Sequence, residues 1–292
     1  MSTNVTNEPY DQYARNRPRL PLVAVVALAT ACLAGCAQTT GASDSPKGQS
    51  RPSGAATAPI TPTPGPSLLP LAGKVVVVDP GHNPGNFRHT REINKLVDIG
   101  TNRKECDTTG TATNDGYTEA AFTLDVSHRL RTLLEKQGAT VQFTQDGDRP
   151  FGPCVDERAR IGNKAAADAV ISVHADGGAS GDRGFHVILP APVKDGAADT
   201  TKIVGPSREL GERIAGAFAD ATGSARSNYV GKGTGLDVRK DLGGLNLSIV
   251  PKVFIECGNM RDAKDAALLK SPEWRQKAAQ GMADGITTYL MG

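Results

Sequence analysis

Four consecutive valines, Val75 to Val78, constrain the fold of this chain more than any other stretch. The run is too short and too β-branched for a helix, so it predicts a strand buried on both faces, as in parallel sheets. Pro80 and Gly81 end the strand, and His82 follows. Ligands of open α/β sheets bind at the carboxyl ends of strands, so His82 is a candidate site residue. A structural role, bonded to backbone, is the alternative for a single histidine.

Two later strands end in a similar way. Ala169 to His174 is another apolar run that stops at a histidine, and Pro251 to Cys257 carries Glu256 near its end. Helical patterns lie between these strands, so the chain from Lys74 onward predicts one α/β domain with a mostly parallel sheet. Residues 83 to 117 are polar and predict a long loop or hairpin. The other histidines fall in a loop, on a helix flank and inside a strand: His89, His128 and His186.

Glu119 begins the apolar stripe of a predicted helix over residues 118 to 137. Phe122, Val126, Leu130 and Leu133 continue that stripe at helical spacing. A carboxylate on the core-facing side is costly unless a cationic group meets it, which favours a site role for Glu119. The alternative is that Glu119 only favours the helix amino terminus, as acidic residues do.

These positions together contain a metal-ligand set. His82, His174 and one carboxylate are the ligands typical of a catalytic zinc site, which keeps a fourth position for water. A second carboxylate that is not a ligand can accept and return a proton, and Glu256 is the candidate for that role. The sequence spacing matches no short metal-binding motif, so the pattern by itself leaves this assignment open.

Four ordered segments resemble the motifs of zinc-dependent N-acetylmuramoyl-L-alanine amidases of the amidase-3 type, and in particular the compact mycobacterial peptidoglycan amidases. The resemblance covers residues 74 to 290. The segments are Val-Asp-Pro-Gly-His82, Gly-Tyr-Thr-Glu119, Ala-Asp-Ala-Val-Ile-Ser-Val-His174-Ala-Asp and Pro-Lys-Val-Phe-Ile-Glu256-Cys-Gly-Asn-Met.

The resemblance implies a twisted, mostly parallel six-stranded sheet with helices on both faces. It implies one zinc ion per chain, held by His82, Glu119 and His174. The implied reaction cleaves the amide between N-acetylmuramic acid and the L-alanine of the stem peptide, through a zinc-activated water with Glu256 as general base.

Two loop residues before the last strand are candidates for binding the peptide or sugar, namely Arg239 and Asn246. Ordinary surface roles are the alternative for both. The chain also departs from many relatives at Asp176, where they have asparagine, and we expect little consequence from that change.

The amino-terminal residues predict export. Three arginines, at 15, 17 and 19, precede a short apolar run that ends at Leu33-Ala34-Gly35-Cys36. The last four residues resemble the lipobox of bacterial lipoproteins, which implies a signal peptide over 1 to 36 and lipid on Cys36. Ordinary signal cleavage with an unmodified Cys36 is the alternative.

Residues 37 to 73 are rich in Ala, Gly, Ser, Thr and Pro and predict a disordered tether. The catalytic domain is then expected over 74 to 292, in the bacterial cell envelope. It would be lipid-anchored on the outer face of the cytoplasmic membrane and would face the periplasm or cell wall.

The remaining cysteines fit an exported protein. Cys106 and Cys154 lie in polar segments, and we expect them to form a disulfide outside the cytoplasm. Two unpaired thiols are the alternative. Cys257 alternates with Glu256 along its strand, so it should face the opposite side of the sheet as a core residue.

Charge and motifs limit the partners. The net charge of +2 and the lack of a basic block give no indication of nucleic acid. The expected partners are peptidoglycan or muropeptides and, through lipid on Cys36, a membrane, and the protein is expected to be a monomer. Two other functions remain open: a non-catalytic peptidoglycan-binding or regulatory lipoprotein, and a zinc carboxypeptidase acting on the stem peptide.

Overall fold

The computed structural model describes residues 69–292. In that part of the chain the strands are β1 Val75–Pro80, β2 Leu96–Asp98, β3 Arg103–Glu105, β4 Thr140–Phe143, β5 Ala169–Asp176, β6 His186–Pro190, β7 Lys194–Asp195, β8 Ala198–Asp199, β9 Leu236–Arg239 and β10 Lys252–Asn259. The helices are α1 Thr90–Ile93, α2 Glu119–Lys136, α3 Val155–Lys164, α4 Val204–Thr222, α5 Gly243–Asn246, α6 Ala263–Lys270 and α7 Pro272–Met291.

Six strands form the central sheet in the order β4-β1-β5-β10-β6-β9. All neighbours pair in parallel except β10 with β6, which are antiparallel. The predicted fold, a single α/β domain with a mostly parallel six-stranded sheet, is confirmed. The strands β1, β5 and β10, which carry the candidate site residues, lie side by side at its centre, so their carboxyl ends meet at one edge.

Helices cover both faces of the sheet. The larger core packs α2, α4 and α7 against the alternate strand residues that include Val76, Ile171 and Ile255. A smaller cluster on the other face contains Val77 and Val170 and packs against α3. Alternate strand residues that do not enter the larger core therefore point toward the second face.

Helix α2 begins where the sequence predicts. The hydroxyl of Thr118 caps it by accepting a hydrogen bond from the Ala121 N–H at 3.3 Å. Phe122, Val126 and Leu130 are fully buried, and Leu134, rather than the half-buried Leu133, completes the stripe. Glu119 occupies the first turn and is only 5% exposed.

Some boundaries differ from the predictions. Leu71 is fully buried and its N–H donates to Gln137 O at 2.8 Å, so the folded domain begins before Lys74. The segment 83 to 117 forms the β2–β3 hairpin and the short helix α1, and it buries Ile93 and Ile99.

Helix α6 was not predicted. It is capped by Asp262, whose side chain accepts from the Lys264 and Asp265 N–H groups.

The predictions for the signal peptide, for Cys36 and for most of the tether fall outside the described residues. Between residues 69 and 292, no helix is long and apolar enough to cross a membrane.

Candidate metal centre

Three side chains from separate elements converge at the carboxyl edge of the sheet. His82 follows β1, Glu119 opens α2, and His174 lies near the end of β5. One ligand atom from each lies within 4.8 Å of the other two. Close packing is required here, because a side chain at Gly81 would collide with the His174 ring. The sequence prediction that these residues meet is therefore confirmed, and they are positioned for a metal site.

The Glu119 carboxylate lies between the two imidazoles. Its Oε2 is 3.1 Å from His82 Nε2, and its Oε1 is 2.9 Å from His174 Nδ1. Backbone N–H groups hold the same oxygens, with Thr111 donating to Oε2 at 2.9 Å and Ala175 donating to Oε1 at 3.2 Å. Glu119 thus has the site contacts that its place on the apolar stripe indicates, in addition to its place in the first turn of α2.

Contacts behind His82 fix which ring nitrogen faces Glu119. Its Nδ1 lies 3.0 Å from the carbonyl oxygen of Thr108, which can only accept a hydrogen bond. That contact requires a proton on Nδ1, so Nε2 is the ring nitrogen that can give up its proton and bind a metal. His174 is held differently, since its ring stacks on Phe254 with centroids 5.2 Å apart.

The electrostatics of the donors favour a cation. Burial opposes charge on Glu119, but His82 and His174 outweigh it and hold the pKa of Glu119 well below its usual range. Burial likewise lowers the pKa of His82, while Glu119 and Asp107 raise it, with a net rise well above the usual value. A buried carboxylate therefore remains ionised and draws positive charge to this point.

An open cavity of about 320 Å³ lies in front of the donors. Glu256 lines it, and in the sheet register Glu256 on β10 pairs with His174 on β5. Its Oε2 is buried and has no hydrogen-bond partner among the described residues. Burial, followed by the negative charges of Glu119 and Asp176, raises the pKa of Glu256 well above its usual value. Such a carboxylate is suited to taking up and releasing a proton.

The two loop candidates have different positions. Arg239 lines the cavity and forms a two-bond ion pair with Asp241, at 2.9 and 2.6 Å. Asn246 is fully buried and does not line the cavity. Its Nδ2 donates to Lys240 O at 2.9 Å and to Thr101 Oγ1 at 3.2 Å. In this structure Asn246 therefore fixes the position of the loop and does not face the cavity.

The cysteines are arranged as predicted. Cys106 and Cys154 form a disulfide with Cα atoms 4.2 Å apart, which joins the end of the hairpin to the start of α3. Cys257 is buried in the larger core, on the opposite face from Glu256, and is not disulfide-bonded.

A buried ionic network next to the donors was missed from the sequence. Asp79 is 1% exposed and accepts from Arg158 at 2.7 Å and from Lys252 at 3.0 Å. Arg158 also donates to Asp107 at 3.0 Å and to His82 O at 3.1 Å. The only signal in the sequence was an aspartate directly after a run of valines. The network ties the backbone of His82 to α3 and to β10.

A larger cavity, of about 480 Å³, lies beside Cys257 and Trp274. None of the candidate donors lines it, so its size does not make it the reactive site.

Two histidines and a glutamate at the carboxyl edge of an α/β sheet, facing a free buried carboxylate, are the arrangement of a metal-dependent hydrolase. Comparison with known families identifies the class more closely. Residues 76–288 match the Amidase_3 family, described as N-acetylmuramoyl-L-alanine amidase. The chain belongs to this family, and it is therefore an amidase among the hydrolases.

Similar proteins agree with this assignment. The chain is 39% identical over 237 residues to the N-acetylmuramoyl-L-alanine amidase Rv3717 of Mycobacterium tuberculosis, a match that covers 81% of this chain and 94% of that protein. The crystal structure of the amidase Ami1 from Mycobacterium smegmatis has a TM-score of 0.69 and 41% identity, and the match covers 75% of this chain and 98% of that one. LytC of Bacillus subtilis is 26% identical, and that match covers 75% of this chain but only 36% of LytC.

Proposed function

We propose that this protein hydrolyses the amide bond between N-acetylmuramic acid and the L-alanine of the stem peptide in peptidoglycan. The observation that carries the proposal is the convergence of His82, Glu119 and His174 opposite Glu256 on one open cavity. The names of the similar proteins support the same bond.

The donors fit zinc. His82 Nε2, His174 Nδ1 and a Glu119 oxygen are three ligands of the kinds that catalytic zinc sites use, and such sites keep one position free. Bound zinc would lower the pKa of a water molecule and polarise the substrate carbonyl. The Thr108 carbonyl and the Thr111 and Ala175 N–H groups would hold the ligands in place.

Glu256 moves the protons. Its carboxylate takes a proton from the attacking water, whose oxygen bonds to the lactyl carbonyl carbon. The carbon–nitrogen bond then breaks, and Glu256 returns the proton to the nitrogen of L-alanine. Burial raises the pKa of Glu256. A metal cation held by the neighbouring donors would lower that pKa again and would keep Glu256 ionised in the resting enzyme.

Arg239 is proposed to bind the substrate. It lines the same cavity as Glu256, and its ion pair with Asp241 keeps the guanidinium in place. A carboxylate of the stem peptide is the natural partner of such a group.

The proposed place of action is the bacterial cell envelope. The Cys106–Cys154 disulfide supports an oxidising compartment. The lipid on Cys36 and the monomeric state remain predictions. Labelling cells with a fatty-acid probe should mark the wild type and not the C36S variant, and an unlabelled wild type would contradict lipid anchoring.

Product masses test the proposed reaction. The purified protein is incubated with muropeptides, with and without a chelator, and the products are analysed by mass spectrometry. Release of the intact stem peptide from muramic acid, stopped by the chelator, is expected. Loss of a terminal D-alanine would instead indicate a carboxypeptidase, and no turnover by the zinc-loaded protein would indicate a peptidoglycan-binding protein.

A further inference from the structure

Two of the buried side-chain atoms that lack a hydrogen-bond partner among residues 69–292 lie on the neighbouring strands β10 and β6. They are Oε2 of Glu256 and Nδ1 of His186. Buried polar groups are nearly always hydrogen-bonded, because leaving one unpaired is costly. An unpaired carboxylate oxygen and an unpaired ring nitrogen on neighbouring strands could therefore satisfy each other.

The sheet places these two side chains next to each other. Glu256 on β10 and His186 on β6 are directly opposed in the antiparallel register. Residues opposed in this way project from the same face, with Cβ atoms about 5 Å apart. Catalytic hydrogen bonds are often long or unmade in free enzymes and tighten when substrate binds.

His186 also contacts a tyrosine that is bonded to an aspartate of the cavity. The Tyr229 ring meets it edge-on, with centroids 5.8 Å apart. The hydroxyl of Tyr229 donates to Asp176 Oδ2 at 2.8 Å, and Asp176 lines the cavity. His186 thus lies next to Glu256 on β10 and next to Tyr229, which is hydrogen-bonded to Asp176 on β5.

The charge of His186 follows from these neighbours. Burial lowers the pKa of His186, Asp176 and Asp237 raise it, and Arg239 lowers it, with a net decrease. The ring is therefore neutral near neutral pH, with one N–H to donate.

We propose that His186 is a positioning residue for Glu256, whose Oε2 accepts a hydrogen bond from His186 Nδ1–H during the reaction while the other carboxylate oxygen faces the water. This inference rests on the proposed amidase function. The bond would align the carboxylate for both proton transfers. It would also lower the pKa of Glu256, because a donor stabilises the charged form.

Paired substitutions at His186 test the proposal in the zinc-loaded full chain, with a soluble muropeptide as substrate. H186F removes the donor, whereas H186N places an amide N–H near the position of Nδ1. We expect H186F to lower kcat by roughly 10-fold to 100-fold, as for residues that orient metal ligands. It should also move the acidic limb of the kcat/KM profile to higher pH, with zinc content unchanged. H186N should keep most of the wild-type kcat and its pH profile.

His128 provides the matched control. It is a histidine on the flank of α2, 47% exposed and paired with Asp146 at 2.7 Å. H128F and H128N should both match the wild type. If H186F fails to fold, H186Q takes its place. The amide of glutamine reaches the position of Nε2 instead of Nδ1, so H186Q should lose as much activity as we expect for H186F.

The outcomes separate the inference from the function on which it rests. Peptide release by the wild type together with full activity of the donor-free variant would overturn the inference alone. Equal losses in H186N and the donor-free variant, with an unshifted pH profile, would show that His186 only fills space, and would also overturn it. Absence of peptide release by the zinc-loaded wild type would overturn the proposed function and this inference with it.

Discussion

Glu256 and His174 pair in register on the adjacent parallel strands β10 and β5. The candidate base and a candidate metal ligand therefore leave the sheet at the same height and project from the same face. Both line the open cavity, as do Glu119 and His82. The positions of the reacting groups thus depend on the central strands, which are the most buried part of the fold, and only Glu119 depends on a helix terminus.

Gly110 is expected to be essential for metal binding. A Cβ there would lie 2.7 Å from His82 Cδ2 and 2.8 Å from Glu119 Oε2, so G110A must displace one of the two. We expect zinc affinity to fall roughly 10-fold to 100-fold, as when the surroundings of metal ligands are disturbed. Zinc titration with a competing chelator measures the effect.

Gly116 in the same loop is the control for this substitution. It also has a positive φ, of +93°, but a Cβ there would meet nothing within 4 Å. G116A should therefore show only the cost of a strained backbone, about 1–2 kcal/mol in unfolding free energy, with normal zinc affinity. Equal zinc affinity in G110A and the wild type would contradict the close packing of the donors.

The disulfide is expected to contribute substantially to stability. Cys106 and Cys154 are 48 residues apart, and closing a loop of that length contributes at most about 4 kcal/mol in the loop-entropy model. Reduction should lower the urea midpoint of the wild type. The C106S/C154S variant should already have the lower midpoint and should not respond to reductant. A response of that variant would assign the effect to another group, such as Cys257.

Removing the charge of Asp79 should destabilise the fold. D79N leaves Lys252 buried without its counter-ion and leaves Arg158 with Asp107 alone, and breaking a buried pair in this way typically costs about 3–5 kcal/mol. Urea unfolding measures it. E209Q on the surface of α4 removes an exposed pair with Arg213 and should cost less than about 1 kcal/mol. Similar losses of unfolding free energy in D79N and E209Q would show that the buried network stabilises the fold no more than an exposed ion pair does.

Asp79 should also make stability depend on acid pH. Burial raises its pKa, but Lys252 and Arg158 outweigh burial and hold it well below the unfolded value of 3.8. Its contribution is thus fully present above the unfolded pKa and declines as the pH falls. Between about pH 5 and about pH 3 the wild type should lose about 1 kcal/mol more than D79N, from linkage at this one group. Parallel losses in both proteins would contradict the lowered pKa.

The central strands and three donors were predictable because apolar runs ending in polar residues are a local signal. His82 and His174 lie at the ends of such runs, and Glu119 lies on a helical stripe. The pairing of β6 with β10 is a long-range contact, so nothing next to His186 in the sequence indicates that it lies beside Glu256. Its place inside a strand was the local signal for a core residue.

Helix α6 and Asn246 show the same limit in other ways. The buried residues of α6 are Asp265, Ala266 and Leu269, which form no apolar stripe because one of them is an aspartate. The Asp265 carboxylate can be buried because it accepts hydrogen bonds from the Gly184 and Asn259 N–H groups. Asn246 lies in a glycine-rich stretch that predicts exposed loop, but contacts with Lys240 and Thr101 bury it. Both depend on residues distant in sequence.

The roles of the donors and of Glu256 are tested most directly by measuring zinc content and muropeptide cleavage in the same preparations of the wild type, Glu256→Gln and Glu119→Gln. We expect one zinc per chain and peptide release in the wild type, zinc without peptide release in Glu256→Gln, and weakened zinc binding in Glu119→Gln. Loss of zinc from Glu256→Gln, or retained cleavage by it, would contradict the assignment of Glu256 as the base.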